Sequence, residues 1–223
     1  MSNKTRGLWS PHHLLYLAVI VFGLVLGIYV ASRQTPPGYE YAQLLPSAKK
    51  IPALDLRNQE GKPLTPELWR GRWSLIFFGF TSCPDICPLE LQKLGKLLRE
   101  VGDSSGLQIV FISVDPERDS LEKLGDYVNF FHPDIIALSG ANAELARTAQ
   151  FFGAAYDRSA IIDGKLLRVP WGIDMPQGSG EHYQVNHSTR VFIVNPQGEY
   201  AGSFAPPFAV AELAADMNVM LQN

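Results

Sequence analysis

The sequence predicts an α/β fold, a three-layer sandwich with an added β-hairpin, preceded by one N-terminal transmembrane helix. Three observations carry this. Residues 14–30 (LLYLAVIVFGLVLGIYV) contain no charge, no strong polar group and no proline. Residues 73–80 (WSLIFFGF) and 107–114 (LQIVFISV) are continuous apolar runs, the mark of strands buried on both faces. Around them, segments with apolar residues three and four apart alternate with strand-like ones, as in helices crossing over a mostly parallel sheet. Composition narrows the class further. A formal charge of −3 argues against nucleic-acid binding, and 11% aromatic with 18% charged residues excludes low-complexity disorder.

Taken in order, residues 14–31 form the anchor. As a helix, the apolar run spans roughly 26 Å, near the lower limit for crossing a bilayer. Trp9, Tyr16 and Tyr29 lie near its ends, where amphipathic rings favour the headgroup region. A cleaved signal peptide is the rival reading, but Tyr29-Val30-Ala31 puts bulky residues where cleavage prefers small ones. Lys4 and Arg6 precede the run and only Arg33 follows closely, which places residues 1–13 in the cytoplasm. So short an N-terminus leaves no room for an organelle-targeting helix. The expectation is a single-pass protein of the bacterial inner membrane with its C-terminal domain in the periplasm. Residues 32–50, with Pro36-Pro37-Gly38, read as a linker, and residues 51–223 as one domain.

Within that domain, residues 51–56 read as a short strand and 58–62 as a turn. Residues 65–69 begin a short helix that Gly71 ends, and 73–80 is the first buried strand. Leu91, Leu94, Leu97 and Leu98 set a helical stripe over 89–101. The second buried strand, 107–114, is followed by a helix over 119–131, capped by Asp119 or Ser120 with Glu122 early against the dipole. A strand over 135–138 and a helix over 141–152 follow. Residues 160–169 form a hairpin turning at Asp163-Gly164, and 189–194 with 199–204 a second across Asn195-Pro196-Gln197-Gly198. Residues 207–222 close as an amphipathic helix. This is the layout of thioredoxin-like domains, in which reactive groups collect at the carboxyl ends of central strands.

The two cysteines, Cys83 and Cys87, sit just there, after the strand 73–80. Two thiols exclude a disulfide-rich mini-fold and a four-thiolate zinc site. In Cys83-Pro84-Asp85-Ile86-Cys87-Pro88, Pro88 is tolerated only in the first helical turn, so the helix begins near Cys87. Both sulfurs then lie near a helix N-terminus, which favours thiolate and suits redox exchange and metal binding equally. An inert staple is the bland alternative, but a bridge over so short a loop gains little.

A metal site needs a third ligand. His12 and His13 fall at the membrane edge, and His132 follows a helix end as a surface or capping group. His182 and His187 remain, both in a Gly/Pro-rich loop over 170–188 with no clear regular structure. His187 precedes the strand that starts at Thr189. Two thiolates and an imidazole select copper, as Cu(I) or Cu(II), whereas zinc would want a fourth ligand.

Three stretches resemble the SCO/SenC family, membrane-tethered copper proteins of cytochrome c oxidase assembly. They are Phe78-Gly79-Phe80-Thr81-Ser82-Cys83-Pro84-Asp85-Ile86-Cys87-Pro88, then Ser113-Val114-Asp115-Pro116-Glu117-Arg118-Asp119, then Asn186-His187-Ser188-Thr189 before a hydrophobic strand. The resemblance implies that Cys83, Cys87 and His187 are the copper ligands. Where the family usually has Asp before that histidine, this chain has Asn186, which raises the expectation of altered copper affinity. Asp115 reads as a turn and helix-cap residue near the site. Two functions follow. One is a metallochaperone passing copper to a subunit of a haem-copper oxidase, itself supplied by a periplasmic copper donor or thiol reductant. The other is a thiol–disulfide oxidoreductase in which Cys83 and Cys87 are the redox-active pair and reduce the oxidase copper-site cysteines. The three-residue spacer differs from the Cys-x-x-Cys of dedicated oxidoreductases, and no proline precedes the strand at Thr189, which shifts weight to copper.

Overall fold

Strand β3 (Trp73–Gly79) organises the domain. In the computed structural model, which describes residues 11–33, 38–101, 106–180 and 182–222, every residue of β3 after Trp73 is buried. Successive side chains point to opposite faces. Leu75 and Phe77 enter one core cluster, and Ile76 and Phe78 the other. β3 pairs in parallel with β4 (Leu107–Ser113), which pairs in parallel with β5 (Ile135–Ser139). On its other side β3 pairs antiparallel with β9 (Val191–Val194), which forms the expected hairpin with β10 (Glu199–Phe204). Two edge strands complete a seven-stranded sheet, β1 (Gln43–Lys50) beyond β10 and β2 (Arg57–Asn58) beyond β5.

Helices cover both faces. α2 (Ile86–Val101), α3 (Leu121–Phe131) and α5 (Val210–Leu221) bury Leu91, Leu94, Leu97, Leu124, Val128, Leu213 and Met217 on one face. α4 (Asn142–Phe152) packs Leu145, Ala149 and Phe152 on the other. The thioredoxin-like three-layer sandwich is therefore the fold. Ser120, not Asp119, caps α3, its side chain accepting from the Lys123 N–H. A second sheet, β7-β6-β8, holds the added hairpin: β6 (Tyr156–Ile162) turns at Asp163 and Gly164, both at positive φ, into β7 (Lys165–Val169).

Three local expectations change. Residues 170–188 are not all loop, because β8 (Tyr183–His187) pairs with β6; its mostly polar sequence hides it. The latter part of the expected linker is instead β1. Its Pro46 disguises the strand but is accommodated at a sheet edge, where the register shifts between Leu44 and Lys49. Residues 51–56 are not a strand. Leu54 and Leu56 are buried, yet Pro52 has no N–H, the Asp55 N–H donates to the Glu144 carboxylate at 3.0 Å, and the Leu56 carbonyl accepts from Leu64.

The chain divides into two units, Met1–Gly38 and Tyr39–Asn223. In the first, the expected anchor is helix α1 (Pro11–Arg33), in which His12–Tyr29 is long and apolar enough to cross a membrane. Lys4, Arg6 and Trp9, and with them most of the expected 1–13 tail, lie outside the described residues, as do Pro36 and Pro37.

Candidate metal centre

The end of β3 sets the site. Beyond Gly79 the chain makes a short loop, in which the Cys83 N–H donates to the Phe80 carbonyl at 3.3 Å, and α2 starts at Ile86. Pro88 falls in the first turn of α2, where no intrahelical donor is lost. Cys87 is thereby fully buried, while Cys83, in the loop, is partly exposed; neither is in a disulfide. Gly79 is required by this packing. A Cβ there would stand 2.8 Å from the Cys87 Sγ and 2.7 Å from the Phe111 ring.

His187 arrives from the other sheet as the last residue of β8, not as a loop residue ahead of the next strand. Its ring lies edge-on to Phe77 and Phe80. Its Nδ1 lies 3.0 Å from the Ser188 carbonyl, which can only accept, so Nδ1 carries the proton. Nε2 therefore presents its lone pair, 3.1 Å from the Cys87 Sγ. The Cys83, Cys87 and His187 ligand atoms all lie within 4.8 Å of one another. His182 is exposed before β8, and His132 is bonded to the Asp134 N–H at the end of α3; neither joins the cluster.

Burial, rather than the helix terminus, controls protonation. Desolvation pushes the Cys87 thiol well above its ordinary range, outweighing a hydrogen bond to the Phe80 backbone. A helix N-terminus contributes about 0.3–1 kcal/mol at exposed sites and up to about 2 when partly buried, whereas burying an unpaired ion costs several. The expectation of a dipole-stabilised thiolate at Cys87 is thus corrected. The same desolvation lowers His187, so the resting pair is a thiol facing a neutral imidazole. Two soft sulfurs and a basic nitrogen converging behind a partly open mouth fit a thiophilic metal ion held in exchange for a proton.

What the sequence did not reveal is how these residues are fixed. Residues 113–119 act as a hub between the cysteine loop and the histidine sheet. The Asp119 carboxylate, buried, accepts from the Thr81 N–H at 3.0 Å, the Thr81 hydroxyl at 2.5 Å and the Ser113 hydroxyl at 2.7 Å. Asp115 makes the expected turn, its carbonyl accepting from Arg118 and Asp119. Its buried side chain also accepts from the Tyr183 hydroxyl of β8 and from Arg118 at 2.5 Å. Glu117 accepts two bonds of 2.9 Å from the buried Arg158 of β6 and one of 2.8 Å from the Met175 N–H. The available signal was four charged residues crowded after a fully buried strand. Asn186 has its own partner. It donates to the Asp157 carboxylate at 2.7 Å on the exposed face of β8, because neighbouring strand residues point oppositely, so it does not touch the imidazole.

The chain has well-defined relatives. A family model described as SCO1/SenC matches residues 43–222. The human mitochondrial SCO2 homologue is 35% identical over 146 residues, which are 64% of this chain and 49% of that protein, so the match spans about half of that relative's length. Among solved structures, copper-bound ScoI of Bradyrhizobium japonicum is 29% identical with a TM-score of 0.62, covering 77% of this chain and 99% of that one. Copper-bound yeast Sco1 is 26% identical with a TM-score of 0.65, covering 78% and 90%.

Proposed function

From the premise that this chain belongs to the SCO1/SenC family, we propose that it is a membrane-anchored copper carrier that binds Cu(I) or Cu(II) through Cys83, Cys87 and His187. Copper is cargo, passed to a subunit of a haem-copper oxidase during assembly. The observation that carries the reading is the convergence of three donor atoms within 4.8 Å, one on a partly exposed loop, one on a buried helix turn and one on a strand. Cys83 offers the mouth through which a partner's ligand could take the ion. Cys87 and His187 hold it from beneath, and the Ser188 carbonyl keeps Nε2 directed inward. α1 is the anchor, in a bacterial inner membrane, and Lys4 and Arg6 before it support a periplasmic domain.

Loading requires both thiols reduced. A disulfide between Cys83 and Cys87 would remove two electrons and two protons from the donor set and leave the imidazole alone, so an oxidised partner would close the site and a thiol reductant reopen it. The unequal exposure of the two sulfurs also supports the second reading, thiol–disulfide exchange with Cys83 as the attacking thiol. The burial of Cys87 and its contact with the lone pair of His187 Nε2 favour a metal site over a freely exchanging thiol pair. Metal analysis of the full chain, reduced and oxidised, separates the two: a carrier retains copper only when reduced. Catalytic reduction of a disulfide substrate without copper retention would give the second reading instead.

A further inference from the structure

His187 and the two cysteines reach one another from different sheets. Among the described residues, no strand of β7-β6-β8 pairs with a strand of the seven-stranded sheet. The distance from the imidazole to the sulfurs is therefore set by side-chain contacts between the sheets rather than by a hydrogen-bonded ladder.

One side chain touches both arms. Arg118, in the turn after β4, has a side chain only 12% exposed. Its Nε donates to the Asp115 carboxylate at 2.5 Å, and its Nη1 donates to the Tyr183 carbonyl, at the start of β8, at 3.1 Å. The same guanidinium lies over the Tyr183 ring, 3.8 Å from its centroid. The Tyr183 hydroxyl closes the circuit by donating to the other oxygen of Asp115. On the cysteine side, the guanidinium stands 5.5 Å from the centroid of the Phe80 ring. Phe80 heads the cysteine loop: its carbonyl accepts from the Cys83 N–H, and its ring lies edge-on to the His187 imidazole with centroids 5.8 Å apart.

This bracket needs arginine. The planar fork sends donors in fixed directions while its faces rest on aromatic rings, whereas a lysine ammonium brings charge without a plane. A buried ion pair such as Arg118 with Asp115 is a poor source of stability, because desolvation offsets most of the attraction. What the bracket does is fix one arrangement of β8 against the loop. That arrangement matters unequally to the two copper ions. Two thiolates suffice for Cu(I), whereas Cu(II) calls on the imidazole as well.

We infer that Arg118 is a positioning residue that holds His187 against the cysteine loop and thereby sets how strongly the site retains Cu(II) relative to Cu(I). The role rests on the copper reading proposed above and adds to it a residue that governs oxidation-state selectivity without being one of the three donors.

Arg118→Lys, Tyr183→Phe and, as a control on the exposed strand β7, Arg168→Lys test this in the reduced full chain. Cu(II) titration and Cu(I) competition give the ratio of the two affinities for each. Loss of a partner that orients a metal ligand costs about 10–100-fold in affinity. Arg118→Lys should lower Cu(II) affinity by about that factor and Cu(I) affinity by much less. Tyr183→Phe keeps the ring and removes only the hydroxyl. It should lower the same ratio by a smaller factor, and it carries the test if Arg118→Lys fails to fold. Arg168→Lys should leave the ratio unchanged. A metal-free readout is the nuclear magnetic resonance of the His187 ring protons, which sense the edge contacts with Phe77 and Phe80. These resonances should shift in Arg118→Lys and Tyr183→Phe but not in Arg168→Lys. Equal weakening of both copper ions, or His187 resonances unmoved in the folded variants, overturns the inference. A wild-type chain that retains neither ion would instead defeat the copper reading, while the His187 resonances still decide whether Arg118 holds the ring.

Discussion

His187 can serve the site because one carbonyl fixes its ring: with Nδ1 donating to Ser188, only Nε2 is left to face the Cys87 sulfur. Replacing it by Ala should abolish stable Cu(II) binding while leaving two-thiolate Cu(I) binding, and His182→Ala should change neither; visible and Cu(I)-competition titrations check both. Asn186→Asp should leave copper affinity unchanged, since the side chain faces Asp157 rather than the imidazole. Its cost is a like-charge pair across two strands, below about 1 kcal/mol in thermal or denaturant unfolding. Protonation gives a further outcome. Burial raises Cys87, so the folded chain holds that proton more tightly than the unfolded one. The stability this contributes to the reduced metal-free protein is complete below the ordinary thiol value of 9.0 and is lost as pH rises above it, which unfolding measured across alkaline pH would show. Copper binding carries the opposite dependence. Each proton displaced from a thiol weakens apparent affinity about tenfold per unit of acidification.

Elements hold these residues in place, and the decisive ones tie two sheets to one loop. Asp119→Ala would leave the Thr81 N–H and hydroxyl and the Ser113 hydroxyl without their acceptor, at a cost of about 2–4 kcal/mol, with faster amide exchange at Thr81 than in α3. Gly79→Ala would force its Cβ against Cys87 and Phe111, costing about 1–3 kcal/mol and loosening copper binding. The sequence exposed the elements that bury their own patterns. β3, β4 and the leucine stripe of α2 are readable because continuous apolar runs and 3.6-residue periods follow from which faces they cover. β1 and β8 were hidden, since an edge strand tolerates Pro46 and a short strand can be largely polar when its partner supplies the register. Cys83, Cys87 and His187 were legible as chemistry, in residue type and spacing. The acceptors that aim them were not, because Asp119 meets Thr81 thirty-eight residues away and Asp115 meets Tyr183 sixty-eight away.

At the scale of the whole molecule, a membrane-length apolar helix precedes a thioredoxin-like domain whose three candidate donor residues meet beyond the carboxyl end of β3. The near balance of polar and apolar residues over the chain combines a membrane-length helix with an ordinary domain. The central claim is that Cys83, Cys87 and His187 together hold copper. Its most direct test is a titration of the reduced full chain with Cu(II), followed by thiolate-to-copper absorption and metal analysis, in wild type and His187→Ala. The account predicts a charge-transfer band saturating at a single equivalent in wild type, absent from His187→Ala and from the oxidised chain. An undiminished band in His187→Ala, or copper retained equally by the oxidised chain, would contradict it.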